Sequence, residues 1–493
     1  PAILAGLMKV LPFKWEIEGT HWRYQPEVLI GWFNQGLFFL ALFLAYRLGA
    51  RLFDAAVGSL AVTLMALTEV MWEFTTSGLS TMLLLVLFLG LAQVLASLDQ
   101  GAREGETPGE AARSKPALLG LAAGAGLLVG VMALTRYSMG WLIVPVVVFV
   151  AVAASSVRVP AAALAFAAFA LVLTPWLARN YQAGGTLFGT AGFALHHEIA
   201  SYSGHVMERS MPRNLSLELN KIELEQYARK LFVRGRDIVE KDLPQMAGNW
   251  VVGLFLAALF VPYRSPLLGR MKWFAAGSLA LFLVVQALGR TAYSDHLPRY
   301  NTENILVVLA PLLFIFGAAF FYTLLDQIEF SFPWLRTLAV AGLVAVLSLP
   351  LIFRLLPPRS SPFHYPPYYA VIIQEAARWL EEDELMMTDM PWATAWYGRR
   401  QSVWVTMDVG RKPTDDFYRV HDEQKEIKAI YLTQITTDGE YLAMRKEREA
   451  IWGRFYLDAD VKGNLPGGFP LKVVQHTWLP DQLYLTDRIR WRE

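Results

Sequence analysis

The stretch GWFNQGLFFLALFLAYRLGARLFDAAVGSLAVTLMALTEVMWEFTTSGLSTMLLLVLFLGL (31–91) decides what kind of chain this is. It holds three apolar runs, each near the roughly 20 residues needed to cross the hydrocarbon core of a bilayer. Arg47 and Arg51 punctuate one junction, and Thr75, Ser77, Ser80 and Thr81 follow Glu69 and Glu73 at the other. The same reading carried outward gives ten candidate spans, at 29–49, 54–73, 79–98, 117–134, 139–155, 159–178, 248–263, 272–289, 303–325 and 335–356. Trp, Tyr, Arg and Pro mark their ends, as anchoring at the membrane interface requires.

Composition agrees. Of 493 residues 55% are hydrophobic and 18% charged, and the mean hydropathy is +0.34. Soluble chains carry about 25% charged residues, so disordered, collagen-like, small disulfide-scaffold and single-domain soluble readings are excluded. A net charge of +1 gives no reason to expect nucleic acid as a partner. Without cysteine there is no disulfide, thiolate nucleophile or cysteine metal site. The charge is uneven: 357–493 holds 18 Lys/Arg and 21 Asp/Glu, 39 of the chain's 87 charged residues. The fold class expected is therefore a polytopic α-helical membrane protein with a C-terminal soluble α/β domain. The membrane domain covers 1–356 and the α/β domain 357–493.

Alternate short connections carry Arg47 and Arg51; Arg103, Arg113 and Lys115; Arg158; Arg264, Arg270 and Lys272; and Arg336. The positive-inside bias makes these cytoplasmic. The long loops 179–247 and 290–302 and the C-terminal domain then fall on the outer, periplasmic side of an inner membrane. Within loop 179–247, residues 217–243 space Leu219, Ile222, Leu224, Tyr227, Leu231 and Ile238 as an amphipathic surface helix does. No inverted-repeat symmetry suggests a transporter. In the tail, helices alternate with apolar strands at 385–389, 402–407, 427–434, 471–477 and 482–487, which predicts a small, mostly parallel sheet. No GxGxxG follows a strand, GNLPGGFP (463–470) reads as a turn, and Asp415-Asp416 as a capping pair.

Ionisable groups at a span mouth are costly and point to function. The densest case is RTAYSDHLPRYNTENILVVLAPLLF (290–314), where Arg290, Asp295, His296, Arg299 and Tyr300 run into an apolar span. Arginine suits a phosphate because its planar fork donates paired hydrogen bonds and stays charged. Arg136 closes the span at 117–134 on the same side, and Arg179-Asn180 follows a Pro-Trp at the end of another. Asn180 and Arg179 suit either an outer cavity or the fixing of loop carbonyls. His196-His197-Glu198 lacks metal-ligand spacing, since adjacent residues do not share a helix or strand face and HExxH is absent. A divalent metal is possible but no ligand set is assigned, and no cofactor is called for.

Several segments in order resemble the GT-C superfamily of lipid-donor glycosyltransferases, in particular the protein O-mannosyltransferase and aminoarabinose-transferase group. They are 31–91, GLLVGVMALTRYSMGWLIVPVV (126–147), TPWLARNYQAGGTLFG (174–189), HLPRYNTENILVVLAPLLFIFGAAF (296–320) and WLEEDELMMTDMPWATAWYGRRQSVWV (379–405). The resemblance implies inverting transfer of a sugar from a polyprenyl-phosphate donor to a glycan, lipid or protein acceptor at the outer face. By the motif match Arg299 and Tyr300, with Arg136, would bind the lipid phosphate. His296, Asp295, Arg179, Asn180, His197 and Glu198 would border the cavity. The family's acidic general base lies in a first outer loop, after a span not found here, so it is expected upstream of Pro1 in a full chain of eleven or more spans. Glu16, Glu18 and His21 do not match that motif. The alternatives are a non-catalytic membrane scaffold of an envelope complex and a transporter.

Overall fold

The computed structural model describes residues 2–11, 14–17, 24–103, 114–197, 199, 209, 224–246, 250–290, 301–356, 369–409, 415–436, 451–460, 463–476 and 482–491. The described residues of Ile30–Ser201 and Glu223–Pro358 form one compact unit, and those of Pro1–Leu29, Tyr202–Ile222 and Arg359–Glu493 form another.

After α1 (Ala2–Val10), the helical unit is built from α2 (Gln25–Leu52), α3 (Ala55–Ala66), α4 (Glu69–Thr76), α5 (Thr81–Arg103), α6 (Lys115–Thr135), α7 (Ile143–Ala153), α8 (Arg158–Gly184), α9 (Leu224–Asp237), α10 (Val251–Ala258), α11 (Pro266–Leu288), α12 (Ala310–Leu325) and α13 (Pro333–Leu355). Among the described residues seven helices are long and apolar enough to cross a membrane, and eight if α3 and α4 are one bent span. The chain is a multi-pass membrane protein. Three of the ten predicted spans take other forms. The span at 54–73 breaks by 61° between α3 and α4. There Thr68 donates to Leu64 O at 2.8 Å and Trp72 Nε1 to Ala66 O at 2.8 Å, so side chains take carbonyls that a continuing helix would use. The span at 139–155 is the shorter helix Tyr137–Ala153, whose first turn is 3₁₀. The span at 248–263 yields only the eight residues of α10, ending before Pro262. Beyond it Lys272 Nζ closes the carbonyls of Leu259 and Val261 at 2.8 Å each.

Close helix contact is paid for in glycine. A Cβ on Gly126 of α6 would lie 1.9 Å from Ala165 O of α8, and one on Gly130 would lie 2.7 Å from Val172 Cβ. This is the small-xxx-small packing by which membrane helices bring backbones together. At the end of the bundle where α2 and α5 finish, Arg51 Nη1 donates to Ser97 Oγ at 3.0 Å, and its Nε to Gln100 Oε1 at 3.1 Å. Asp99, fully buried, pairs with both Arg103 and Arg270.

The second unit contains α14 (Ala370–Arg378), β1 (Leu385–Thr388), α15 (Pro391–Gly398), β2 (Gln401–Trp404), β3 (Ile427–Leu432), α16 (Ile451–Asp460), β4 (Val473–His476) and β5 (Leu483–Thr486). All five predicted strands are present, in the order β2-β1-β3-β5-β4. The sheet is mixed rather than mostly parallel: β2, β1 and β3 are parallel, whereas β5 is antiparallel to both β3 and β4. The reason is in the connection, because only six residues separate β4 from β5 and a parallel crossover needs a dozen or more. Just past β1, the fully buried Asp389 carboxylate accepts Thr433 N at 2.7 Å and Thr436 Oγ1 at 2.8 Å. It thereby ties the end of β1 to the end of β3. Burial pushes its carboxyl up from the usual carboxylate range, against the pull of those hydrogen bonds.

The segment before α2 belongs to this unit by its contacts. Tyr24, 1% exposed, donates from its hydroxyl to Trp396 O at 2.9 Å and packs on the rings of Trp396 and Tyr397. Burial raises its phenol to about 12, with Arg399 opposing and Glu27 adding to the rise. Trp15 lies under the Arg399 guanidinium, 5.2 Å from ring centroid to Cζ.

Candidate functional site

The mouth singled out in the sequence is described on one side only. Asp295, His296, Arg299 and Tyr300 lie outside the described residues, and so does Glu198. The segment that follows, Asn301–Ile305, is stitched to three helices. Arg136, in extended conformation where α6 ends, pairs with the Glu303 carboxylate and donates to Glu303 O at 2.8 Å. Asn301 Nδ2 donates to Asp242 Oδ2 at 3.0 Å, and both residues are 2% exposed. Gln286, near the end of α11, accepts Ile305 N at 3.0 Å and donates to Arg290 O at 3.2 Å. Asn304 caps the following turn through Leu306 N at 3.0 Å.

Each of these contacts has a local cause. Asp242 ends a π turn, Ile238–Asp242, that continues α9, and such a turn swings a side chain out of helical register, often at functional sites. Burial raises its carboxyl, while the Asn301 hydrogen bond acts the other way. Both described contacts of Arg136 run through Nη2, and a guanidinium carries further donors on Nη1 and Nε. The arrangement therefore orients a cation whose remaining edge can meet an anion.

Arg179 and Asn180 take part in a separate junction at the end of α8. Asn180 Nδ2 donates to Tyr137 Oη at 2.9 Å and to Leu187 O at 3.1 Å, while Trp176 Nε1 donates to the same Tyr137 oxygen at 2.6 Å. The Arg179 guanidinium sits 4.8 Å from the Trp176 ring centroid. His197 is buried, and its carbonyl accepts Lys230 Nζ at 2.6 Å; the same ammonium closes Ala194 O and Leu195 O. His196 Nδ1 and Tyr227 Oη lie 2.6 Å apart. Burial, then Lys230, hold the His196 imidazole below its ordinary value. Among the described residues no three His, Asp or Glu side chains converge as a metal site. Glu69 and Glu73 both pair with Arg354 at the end of α13, the first at 2.9 Å.

Sequence reasoning did not single out Glu303, Asp242, Asn301, Gln286, Lys230 or Tyr137. The available signal was NTEN (301–304), four polar residues directly before the most buried span.

No known sequence family and no curated protein matches the chain. The fold is similar to that of the oligosaccharyltransferase of Archaeoglobus fulgidus solved with zinc and sulfate, with a TM-score of 0.50 and 12% identity over 85% of this chain. The present chain spans 58% of the length of that protein. The oligosaccharyltransferase AglB of the same organism, solved with an inhibitory peptide and a dolichol-phosphate, gives 0.48 at 10% identity, covering 86% of this chain and 60% of AglB. ArnT of Cupriavidus metallidurans bound to undecaprenyl phosphate gives 0.45 at 13% identity, covering 95% of this chain and 85% of ArnT. Identity this low speaks for the fold alone, which is similar to that of the archaeal oligosaccharyltransferase.

Proposed function

We propose that this chain transfers a sugar from a polyprenyl-phosphate donor to an acceptor hydroxyl at the outer, periplasmic face of an inner membrane, with inversion at the anomeric carbon. The acceptor oxygen forms the new bond to that carbon as the bond to the phosphate oxygen breaks. The hydroxyl proton passes to a carboxylate, and the polyprenyl phosphate leaves. A neutral hydroxyl is a poor nucleophile, which is why a base is needed. Charge grows on the departing phosphate, and preset cationic donors stabilise it there. Arg136, Arg299 and Tyr300 are the residues assigned to that task. Asp295, His296, Arg179, Asn180, His197 and Glu198 are the residues assigned to the outer cavity. The acceptor is a glycan, a lipid or a protein.

The observation that carries the reading is the setting of Arg136. Glu303 holds it beside the segment that continues directly from Arg299-Tyr300, on a fold shared with an oligosaccharyltransferase. Two further features support it. Arg51, Arg103 and Arg270 gather at the end where α2 and α5 finish, as a cytoplasmic end would. An apolar groove of about 490 Å³ between α10, α12 and α13, bordered by Trp250, Phe321 and Leu343, has the character of a seat for an isoprenoid chain.

The test is turnover. Purified protein given a polyprenyl-phosphate sugar and a periplasmic glycan and glycolipid extract should release polyprenyl phosphate and label an acceptor. Donor that stays intact, with no acceptor labelled, would overturn the reading.

A further inference from the structure

Val172, Trp176 and Asn180, four apart on α8, share the face that meets α6 and the 3₁₀ turn opened by Tyr137. The Tyr137 phenol oxygen accepts two hydrogen bonds there, from Trp176 Nε1 at 2.6 Å and from Asn180 Nδ2 at 2.9 Å. Neither can be reversed. An indole nitrogen only donates. The Asn180 amide is fixed by its other bond, Nδ2 to Leu187 O at 3.1 Å, since a flip would set two oxygens against each other. Both lone pairs of the phenol oxygen are thus used, and its own proton is left to donate outward. Tyr137 is partly exposed, and among the described residues no oxygen accepts that proton.

Arg179 adds a cation to the same junction. Its guanidinium is exposed, 4.8 Å from the Trp176 ring centroid, and among the described residues no carboxylate or carbonyl meets it. It is the one charged residue from Thr174 to Leu195. Glu303, which stands by Arg136 just before Tyr137, is paired with that other guanidinium. The setting is the membrane. The apolar window of α8 is 17% buried, and beyond its exposed Leu171 come the exposed rings of Trp176, Tyr181 and Phe188. Apolar side chains giving way to aromatics mark the headgroup level. The anion at that level is a lipid phosphate, which accepts from an O–H and a guanidinium edge together. A zwitterionic lipid also brings an ammonium, and no carboxylate described at this junction receives it. The groove suited to an isoprenoid chain lies between α10, α12 and α13, whereas α8 offers an open flank to a pair of acyl chains. We infer that Tyr137 and Arg179 form a binding site for the phosphodiester of an anionic diacyl phospholipid, at the same end of the bundle as Arg136. Arg179 then borders the outer cavity from its bilayer side. The inference does not rest on the transfer reading, since binding is read without turnover.

The full chain is purified in dodecyl maltoside and given equal amounts of dioleoyl phosphatidylglycerol and dioleoyl phosphatidylethanolamine, and retention is read by native mass spectrometry. Phosphatidylglycerol should be retained about fivefold or more over phosphatidylethanolamine. Tyr137→Phe and Arg179→Gln should each cut that margin about threefold or more, as loss of a hydrogen bond to a charged group does at a partly exposed site. Arg179→Lys, which keeps the cation, should hold most of it. The Arg136→Ala/Arg299→Ala double variant should leave it intact. Circular dichroism melting checks that the variants fold. Equal retention of the two lipids would overturn the inference, as would a margin indifferent to both Tyr137→Phe and Arg179→Gln. A margin lost in the Arg136→Ala/Arg299→Ala variant would overturn it too, by placing the lipid in the proposed donor seat instead.

Discussion

Replacing Arg136 by alanine should lower turnover by about ten- to a hundredfold. A hydrogen bond to a charged group is worth about 1.5–3 kcal/mol, and each 1.4 kcal/mol is a factor of about ten in rate. Arg299→Ala should fall in the same range. Loss of rate alone would not separate a phosphate ligand from a structural strut, because Arg136 also ties the end of α6 to Glu303. Glu303→Gln separates them. In the proposed role the amide oxygen still accepts from Arg136 Nη2 and keeps the guanidinium in place, while the carboxylate charge that repels the lipid phosphate is gone, so Glu303→Gln should leave donor affinity unchanged or tighter while Arg136→Ala weakens it. In a purely structural role both substitutions break one ion pair and should act with the same sign. Donor KM and thermal unfolding, measured together on both variants, decide the matter.

The largest structural effect is expected at Gly126. A methyl group there would lie 1.9 Å from Ala165 O and 2.7 Å from Ala165 C, both backbone atoms that cannot rotate away. Helix α8 must back off, and overpacking of this kind costs about 1–3 kcal/mol even before any loss of neighbouring contacts. Gly126→Ala should therefore lower the melting temperature, and Gly126→Val should yield little folded protein. Gly124→Ala is the control. It lies on the same helix with open space around the added carbon, and the gain in helix propensity should make it neutral or mildly stabilising. Equal effects at the two positions would mean that α6 and α8 do not pack as described. The consequence reaches the site, since α6 ends at Arg136 and α8 at the Tyr137–Trp176–Asn180 junction.

Much of the fold was legible because apolar length is a one-dimensional property. The seven long spans, the five strands and the turn at 463–470, where Gly463 and Gly468 take positive φ, follow from local composition. The break at Leu67–Thr68 was not legible, since it depends on which carbonyl each side chain finds. The direction of β4 and β5 was available in their short spacing but was outweighed by the helix–strand alternation before them. In the site, Arg136 stood out as a charge at a span end. Its partner Glu303 is 167 positions away, and Asp242 and Asn301 are 59 apart. Pairings at that separation are set by packing, and a single sequence carries no trace of them. Asp242 was further hidden by the π turn, which breaks the helical periodicity that would have assigned it to a face.

In the proposed function a lipid phosphate docks beside Arg136 and Arg299. Native mass spectrometry of the purified chain with undecaprenyl phosphate and with undecaprenol, which shares the tail and lacks the phosphate, tests it most directly. Undecaprenyl phosphate should be retained at least about tenfold better than undecaprenol, the margin of one charged hydrogen bond, with the margin lost in the Arg136→Ala/Arg299→Ala double variant. Equal retention of the two lipids, or a preference that survives the double substitution, would contradict it.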